Sequence, residues 1–514
     1  MIRTLLCAIA LATVLGGRAA AAALDDPPAG LIASSTSLAK IRALYAKDHE
    51  RERTRAATII EEWRLRQDKM SGTFHVFRLG HDERDITLLG PFFSESGVHN
   101  GTRWQQTRNG ITYTYGGIHE NRDARSDTAW LSSVEPREVR LIGESVSFNA
   151  FVVEIDPPGG RHEWRFLDKR TLNLVRREYI EKGRRYTVTF DDYRTFDGIA
   201  EPSRVRAIDS YGNERDLSLL SRTLDLTPAP HDVDIPPSRR TLVEFPAGLT
   251  ASRLPMRVLN GLCVVKVRIG TKDYDFLLDS GAAGVVIDPS VVDDAHLETY
   301  GTRIGATVGT FTETTGIVPL MSIGALKMRS VVARVVSVPF RLDDRTHIAG
   351  LLGFDFFLDT IVHVDLDHNV ANVFAPGTFK PPADLATIPI ALDDRTPVVR
   401  ARADSVTGRV VLDTGANRSV FTPPFASRAD VAFDPATASA QFRGLGGTAA
   451  AETVKLKSFD IAALPLLDPV VDVSNANLGA EDVDGTAGTD LLHAYDLFFD
   501  YRGGALYVRR SRKV

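Results

Sequence analysis

At 514 residues with 43% hydrophobic side chains, the chain is long enough for three domains, each with its own core. A formal net charge of −5 with dispersed basic residues gives no nucleic-acid surface, and two cysteines, Cys7 and Cys263, exclude a disulfide-stapled scaffold. No HExxH, paired CxxC or phosphate-loop motif is present, so nothing in the sequence asks for a metal or other cofactor.

Met1-Ile2-Arg3 is a short basic leader, Thr4 to Leu15 is largely apolar, and Arg18 is followed by Ala19 to Ala23, small residues of the kind signal peptidases accept. Residues 1–23 read as a signal peptide, and the mature protein is expected to be exported, periplasmic or secreted. A transmembrane anchor needs about 20 continuous apolar residues, and Gly16-Gly17-Arg18 interrupts this stretch. No integral membrane segment is expected after the leader is removed. Cys263 sits in the apolar run Leu262-Cys263-Val264-Val265 and reads as a buried structural thiol.

Residues 24–226 read as a helix plus antiparallel sheet. Between 36 and 69, Leu38, Ile41, Leu44, Tyr45, Ile59, Ile60 and Trp63 recur at three-to-four spacing and predict a long helix, with a solvated charged stretch from Lys47 to Arg55. From Gly72 to about Leu226 apolar and polar residues alternate between turn signals, as in Asn109 to Tyr115 and Asn173 to Phe190 around Lys182-Gly183. The phrases Asp168-Lys169-Arg170-Thr171-Leu172, Asp191-Asp192-Tyr193-Arg194 and Asp197 to Pro202 resemble those of lipoprotein-carrier-like domains in exported bacterial proteins. That resemblance implies a curved sheet sheltering an apolar ligand or a protein partner, although a plain structural core explains the same alternation. Residues 227–241, with Pro228, Pro230, Pro236 and Pro237, read as a linker.

The remaining chain contains one stretch twice. Phe276-Leu277-Leu278-Asp279-Ser280-Gly281-Ala282 returns 134 positions later as Val410-Val411-Leu412-Asp413-Thr414-Gly415-Ala416. A lone Asp-Ser-Gly is an ordinary turn. Here the similarity extends upstream, from Val264–Arg268 to Val398–Arg402, and downstream, from Gly350–Phe357 to Gly485–Leu492. Residues 242–380 and 386–514 are therefore two copies of one domain, and together they are expected to fold without the residues before them. An apolar strand delivering a carboxylate into a tight turn suits a site where that carboxylate is buried and aimed. Glycine allows close backbone approach there, and the hydroxyl can bond across to a neighbour.

The duplicated motif resembles the aspartic peptidases of retropepsin-like type, in which Asp-Thr/Ser-Gly-Ala is followed by an apolar-apolar-Gly segment. Ala282 and Ala416 favour this type over the pepsin-like one, and Thr486-Ala487-Gly488 departs from it, because two larger apolar residues are expected there. The resemblance implies a mainly β protein: two acid-protease β-barrel lobes, paired within one chain or between two, after an α+β domain. It implies Asp279 and Asp413 as a catalytic pair sharing one proton, with Ser280, Gly281, Thr414 and Gly415 supporting their loops. Hairpins at Gly305 to Gly316 and Gly444 to Gly447 would be flaps, with Phe311 and Leu445 touching a peptide or protein substrate. Activated water would cleave the peptide bond, with no covalent intermediate. Asp355 and Asp490 also repeat and read as helix-start acids, Asp365 and Asp500 as structural, and His363, His368 and His493 as solvated or core-edge residues. The competing reading is a non-catalytic extracytoplasmic peptide- or lipid-binding protein on the same fold, favoured by the altered Thr486-Ala487-Gly488 and opposed by an intact aspartate in each copy.

The leader yields the first prediction: protein purified from its native host begins at or within a few residues of Leu24. N-terminal sequencing checks this, and an intact Met1 would refute export.

Overall fold

The alternating apolar pattern becomes antiparallel sheet in two compact units, the described residues of Met1–Trp104 with Gly117–Ile235 and those of Gln105–Gly116 with Pro236–Val514. The computed structural model describes residues 25–48, 58–115, 122–132, 138–181, 183–196, 198–224, 230–393, 395–431, 433–434, 438, 440–461, 464–466, 469–476 and 483–511. Residues 1–23, which the sequence reads as a signal peptide, lie outside the described residues, as do Lys182, Asp197 and most of the stretch from Lys47 to Arg55.

In the first unit the long helix of the sequence reading is shorter. The helix is Leu38–Asp48, and Ile59–Gln67 is a strand, paired with Met70–Leu79 on one side and Glu214–Leu224 on the other. Its buried residues are Ile59, Glu61, Trp63 and Leu65, a period of two. Glu61 concealed that period, because it is an acid facing inward: it accepts from Trp63 Nε1 at 2.8 Å and pairs with Arg222. A second helix, Arg122–Leu131, was not legible as one. Tyr45 and Trp130 join the two helices edge to face at 5.2 Å, and Arg42 donates to the Ala129 carbonyl at 2.8 Å. This second helix also sets Asp123 against Arg161 and Arg177 and Asp127 against Arg165. Burial favours a neutral Asp123, but the two guanidiniums win and hold its carboxyl well below the usual range.

In the second unit both copies build the same sheet. In lobe 1 the order is Thr299–Ala306, Thr310–Ile323, Leu326–Val335, Val286–Ile287, Ile348–Leu352, Lys272–Leu278 and Leu262–Ile269. In lobe 2 it is Ala440–Gly444, Gly447–Lys455, Val470–Ser474, Val420–Phe421, Gly485–Ala487, Val406–Leu412 and Thr396–Ala403. In each, the strand before the repeated Asp runs parallel to the apolar-Gly strand, Leu278 beside Leu352 and Leu412 beside Ala487. Parallel strands are covered on both faces, which is why Phe276 to Leu278 and Val410 to Leu412 are continuously apolar and buried.

The copies pair with each other inside one chain. Ile361–Asp365 lies antiparallel to Tyr495–Asp500, with Val362 opposite Phe499, and Ala251–Leu259, Val370–Phe374, Ala505–Arg510 and Ala386–Pro389 extend the shared sheet. Under it, Phe357 packs against Phe499 at 5.5 Å and Tyr501 at 5.3 Å. Residues Gln105–Gly116, which the alternation placed in the helix-plus-sheet domain, group with this second unit. Ile111 and Tyr113 enter its core, Tyr113 lies 4.9 Å from Phe354, and the Thr112 N–H donates to Ser238 Oγ at 3.0 Å. Among the described residues no helix is long and apolar enough to cross a membrane.

Phe499 is fully buried at the seam between the lobes. Phe499→Ala should cost about 3–5 kcal/mol in denaturant unfolding of the full chain, the usual range for a large-to-small core change. A loss under about 1 kcal/mol would show that the seam does not carry stability.

Candidate active site

The parallel strand pairs aim two carboxylates at one point. The Asp279 N–H donates to the Leu352 carbonyl and the Asp413 N–H to the Ala487 carbonyl, both at 3.0 Å. The Thr486-Ala487-Gly488 departure therefore changes side chains but leaves the backbone support in place.

The two loops then exchange hydroxyls. The Ser280 N–H donates to Thr414 Oγ1 at 3.0 Å and the Thr414 N–H to Ser280 Oγ at 2.9 Å. Ser280 Oγ donates onward to the Leu412 carbonyl at 2.8 Å, and Thr414 Oγ1 to the Leu278 carbonyl at 2.7 Å. Each hydroxyl thus bonds backbone groups on either side of the opposite Asp. A Cβ on Gly281 would lie 2.5–2.8 Å from the Asp413 carboxyl atoms, and one on Gly415 2.2–2.5 Å from those of Asp279. Only glycine lets each turn pass so close to the opposite carboxylate.

Asp279 and Asp413 are hydrogen-bonded to each other. The Ala282 N–H donates to Asp279 Oδ1 and the Gly415 N–H to Asp413 Oδ1, both at 2.8 Å. Burial first, then the charge and hydrogen bond of Asp413, raise the Asp279 carboxyl well above the usual range. Burial also raises Asp413, opposed by donation from the Gly415, Gly281 and Ala416 amides and by the bond to Asp279. Both carboxyls are raised, so the pair favours holding one proton between them, and its two titration steps belong to the pair.

Tyr501 was not a sequence candidate. Its hydroxyl donates to the Ser280 carbonyl at 2.6 Å, and burial, then Asp279 and Asp413, push the phenol well up. The repeat gives no signal for it, since the matching lobe 1 position is Leu366.

Asp355 and Asp490 do stand in the first turns of Phe354–Leu358 and Thr489–Leu492. Their carboxylates also reach across to the loops. Asp490 accepts from the Ser419 N–H at 3.0 Å and Ser419 Oγ at 2.6 Å, whereas Asp355 accepts from the Val285 N–H and the side chains of Thr107 and Asn109. His363 is likewise partnered, which its sequence context did not show: it lies 3.3 Å from Asp496 across the seam and stacks on Phe498 at 3.8 Å. His363, Asp365 and Asp496 come near one another as metal ligands would. Each carboxylate already has a partner, His368 on Asp365 at 2.8 Å and Arg509 on Asp496 at 2.9 Å, so the cluster reads as an ion-pair seam between the lobes. Asp500 accepts from the Gly503 N–H at 2.7 Å, and Cys263 is buried, its thiol pushed up to about 12.

The hairpin Thr299–Ala306/Thr310–Ile323 and its lobe 2 counterpart Ala440–Gly444/Gly447–Lys455 meet at their tips. Thr307 Oγ1 donates to the Leu445 carbonyl, which also receives the Gly309 N–H at 3.4 Å. Phe311 and Leu445, both half-buried, pack on the same apolar cluster as Ala282. In the first unit, a separate cleft of about 440 Å³ is lined by Arg125, Thr128, Ala129, Ser132, Glu138, Pro157 and Pro158.

Residues 265–356 and 399–491 each match the family described as aspartyl protease. One match lies in each lobe, so the chain is similar to that family twice over. No curated protein matches the chain. Among solved structures, the aspartic proteinase from Irpex lacteus is 15% identical, covering 51% of this chain and 98% of its own, at a TM-score of 0.33. Basic 7S globulin from soybean is 14% identical, covering 51% and 95%, at 0.31. A Vibrio parahaemolyticus domain named for outer membrane lipoprotein sorting is 16% identical, covering 38% and 97%, at 0.29.

Both lobes lean on Thr414, whose hydroxyl serves two buried backbone groups. Thr414→Val keeps the shape and orphans both, and should cost about 1–3 kcal/mol for each in equilibrium unfolding. A change near zero would mean that the hydroxyl exchange does not hold the loops.

Proposed function

We propose that this protein is an exported aspartic endopeptidase of retropepsin-like type, in which one aspartate from each lobe activates a water against a peptide bond. The observation that supports it best is the pair itself: Asp279 and Asp413 are hydrogen-bonded to each other and buried, which favours sharing one proton. In a protein that only binds, two adjacent buried carboxylates are a cost without a return.

The charged carboxylate of the pair takes a proton from water, and the water oxygen attacks the carbonyl carbon. The neutral carboxyl gives its proton to the carbonyl oxygen, so the tetrahedral intermediate is a neutral diol. Collapse breaks the C–N bond, returns the diol proton to one aspartate and passes the other proton to the leaving amine, regenerating the singly protonated pair. Ser280, Gly281, Thr414 and Gly415 keep the two carboxyls in register. Phe311 and Leu445, on the hairpins that meet above, supply apolar contacts to the side chains of the peptide.

Asp279→Asn and Asp413→Asn should each lower kcat by at least about a thousandfold with the fold intact, and the double variant should be little worse than either one, because the pair acts as a unit. Between about pH 3 and pH 8 wild-type activity should rise and then fall, the acid limb being second protonation of the pair and the alkaline limb loss of the shared proton. The stability sign follows from the raised Asp279. Its folded-state carboxyl keeps a proton that the unfolded chain releases, so its contribution is full below about pH 4 and is lost as pH rises through the folded-state value. Peptide-pool cleavage by wild type and both single variants checks the kinetics. Full activity in Asp413→Asn would overturn the shared site.

A further inference from the structure

The loops that follow the two aspartates share Asp, Gly and Ala but differ at several later positions, and one of these differences changes how the helix-start acid is held. Ser419 of lobe 2 corresponds to Val285 of lobe 1 at the same 134-residue offset as Asp413 and Asp279. Ser419 matters in lobe 2. Its N–H and Oγ both bond Asp490, and its Oγ also accepts from the Gly488 N–H at 2.9 Å, tying the loop after Asp413 to the apolar-Gly segment. Val285 can offer Asp355 only its N–H, and Asp355 is buried with 6% exposure, where the Arg395 charge is the largest influence on the side of the ionised form and further donors add to it.

The hydrogen-bond donors that Ser419 supplies in lobe 2 come here from far upstream. The side chains of Thr107 and Asn109 both hydrogen-bond Asp355. Thr107 Oγ1 accepts from the Asn109 N–H at 3.2 Å and the Ile111 N–H at 3.4 Å, which leaves its own hydrogen for the carboxylate. Asn109 is itself locked: its amide exchanges bonds with the Val332 N–H at 2.8 Å and carbonyl at 3.0 Å, and Arg240 Nε donates to its carbonyl at 2.8 Å. Thr107, Asn109 and Ile111 are all buried.

We propose that Thr107 and Asn109 are positioning residues for the Asp279 loop, supplying in lobe 1 the hydrogen bonds that Ser419 supplies in lobe 2. Asp355 passes their hold to the Val285 N–H at the exit of the loop. At its middle, the Phe354 N–H donates to the Ala282 carbonyl at 2.8 Å. A chain beginning at residue 242 lacks this segment, so its lobe 1 loop is under-supported while its lobe 2 loop is complete.

The test uses the full chain and the swap that lobe 2 suggests. Thr107→Val should lower kcat for peptide cleavage about tenfold with KM within about twofold, as expected for a misplaced reacting group. It should also speed amide hydrogen exchange over residues 281–287. Adding Val285→Ser, which does nothing for the turn at 107–111 but offers Asp355 a hydroxyl from within the lobe, should restore both to within about threefold of wild type. The kinetic arm rests on the peptidase reading, but the exchange arm does not. A wild type that cleaves nothing would sink that reading while exchange still decides this one. If Thr107→Val leaves exchange unchanged, or Val285→Ser fails to restore it, the proposal is overturned.

Discussion

Everything near the carboxylate pair depends on the hydroxyl exchange between Ser280 and Thr414. Two unit charges about 4 Å apart at an effective dielectric near 20 repel by about 4 kcal/mol. The exchange contributes four buried hydrogen bonds, each worth about 1 kcal/mol net. The two magnitudes are comparable, and a shared proton removes most of the repulsion. The bonds run between loops, so neither lobe can hold its aspartate in place alone.

The shared sheet provides the rigid frame for that exchange. Pairing Val362 with Phe499 fixes the lobes as one body, and the strand carrying Phe499 leads directly into Tyr501, whose hydroxyl reaches the Ser280 carbonyl. Packing, inter-lobe register and loop geometry are thus consecutive features of one short segment. The two halves are nonetheless unequal. Tyr501 faces a leucine across the repeat, and Ser419 faces a valine whose role an upstream segment takes over. Symmetry is kept where the chemistry needs two like groups and relaxed where either lobe can find its own support.

The features legible in the sequence were those with a local pattern. The Asp-hydroxyl-Gly-Ala turns, the apolar strands feeding them and the glycine-rich hairpins all announced themselves by repetition, and the structure sets them in matching places. What escaped depended on partners distant in sequence. Glu61 faces inward because Arg222 waits 161 residues away, and that inverted the apparent period of the strand and lengthened a helix on paper. His363 finds Asp496 only because the lobes share a sheet. Asn109 sits in a run that alternates like its neighbours, and nothing local says that it belongs to the second unit. The helix Arg122–Leu131 was hidden for a related reason: its Asp123 and Asp127 face sheet arginines, so its inward side is partly charged.

The bond between the hairpin tips bears on what can reach the carboxylates. Because the Thr307 hydroxyl holds the Leu445 carbonyl, neither tip lifts without the other losing its partner. The cover is a double door hung from opposite walls, not a trapdoor on one. A folded loop, two strands thick, has to swing both leaves, whereas an unravelled segment with a free end can be threaded lengthwise beneath a closed pair. Under the proposed peptidase reading, the tip contact would act as a caliper, sorting polypeptide by width before any side chain is read.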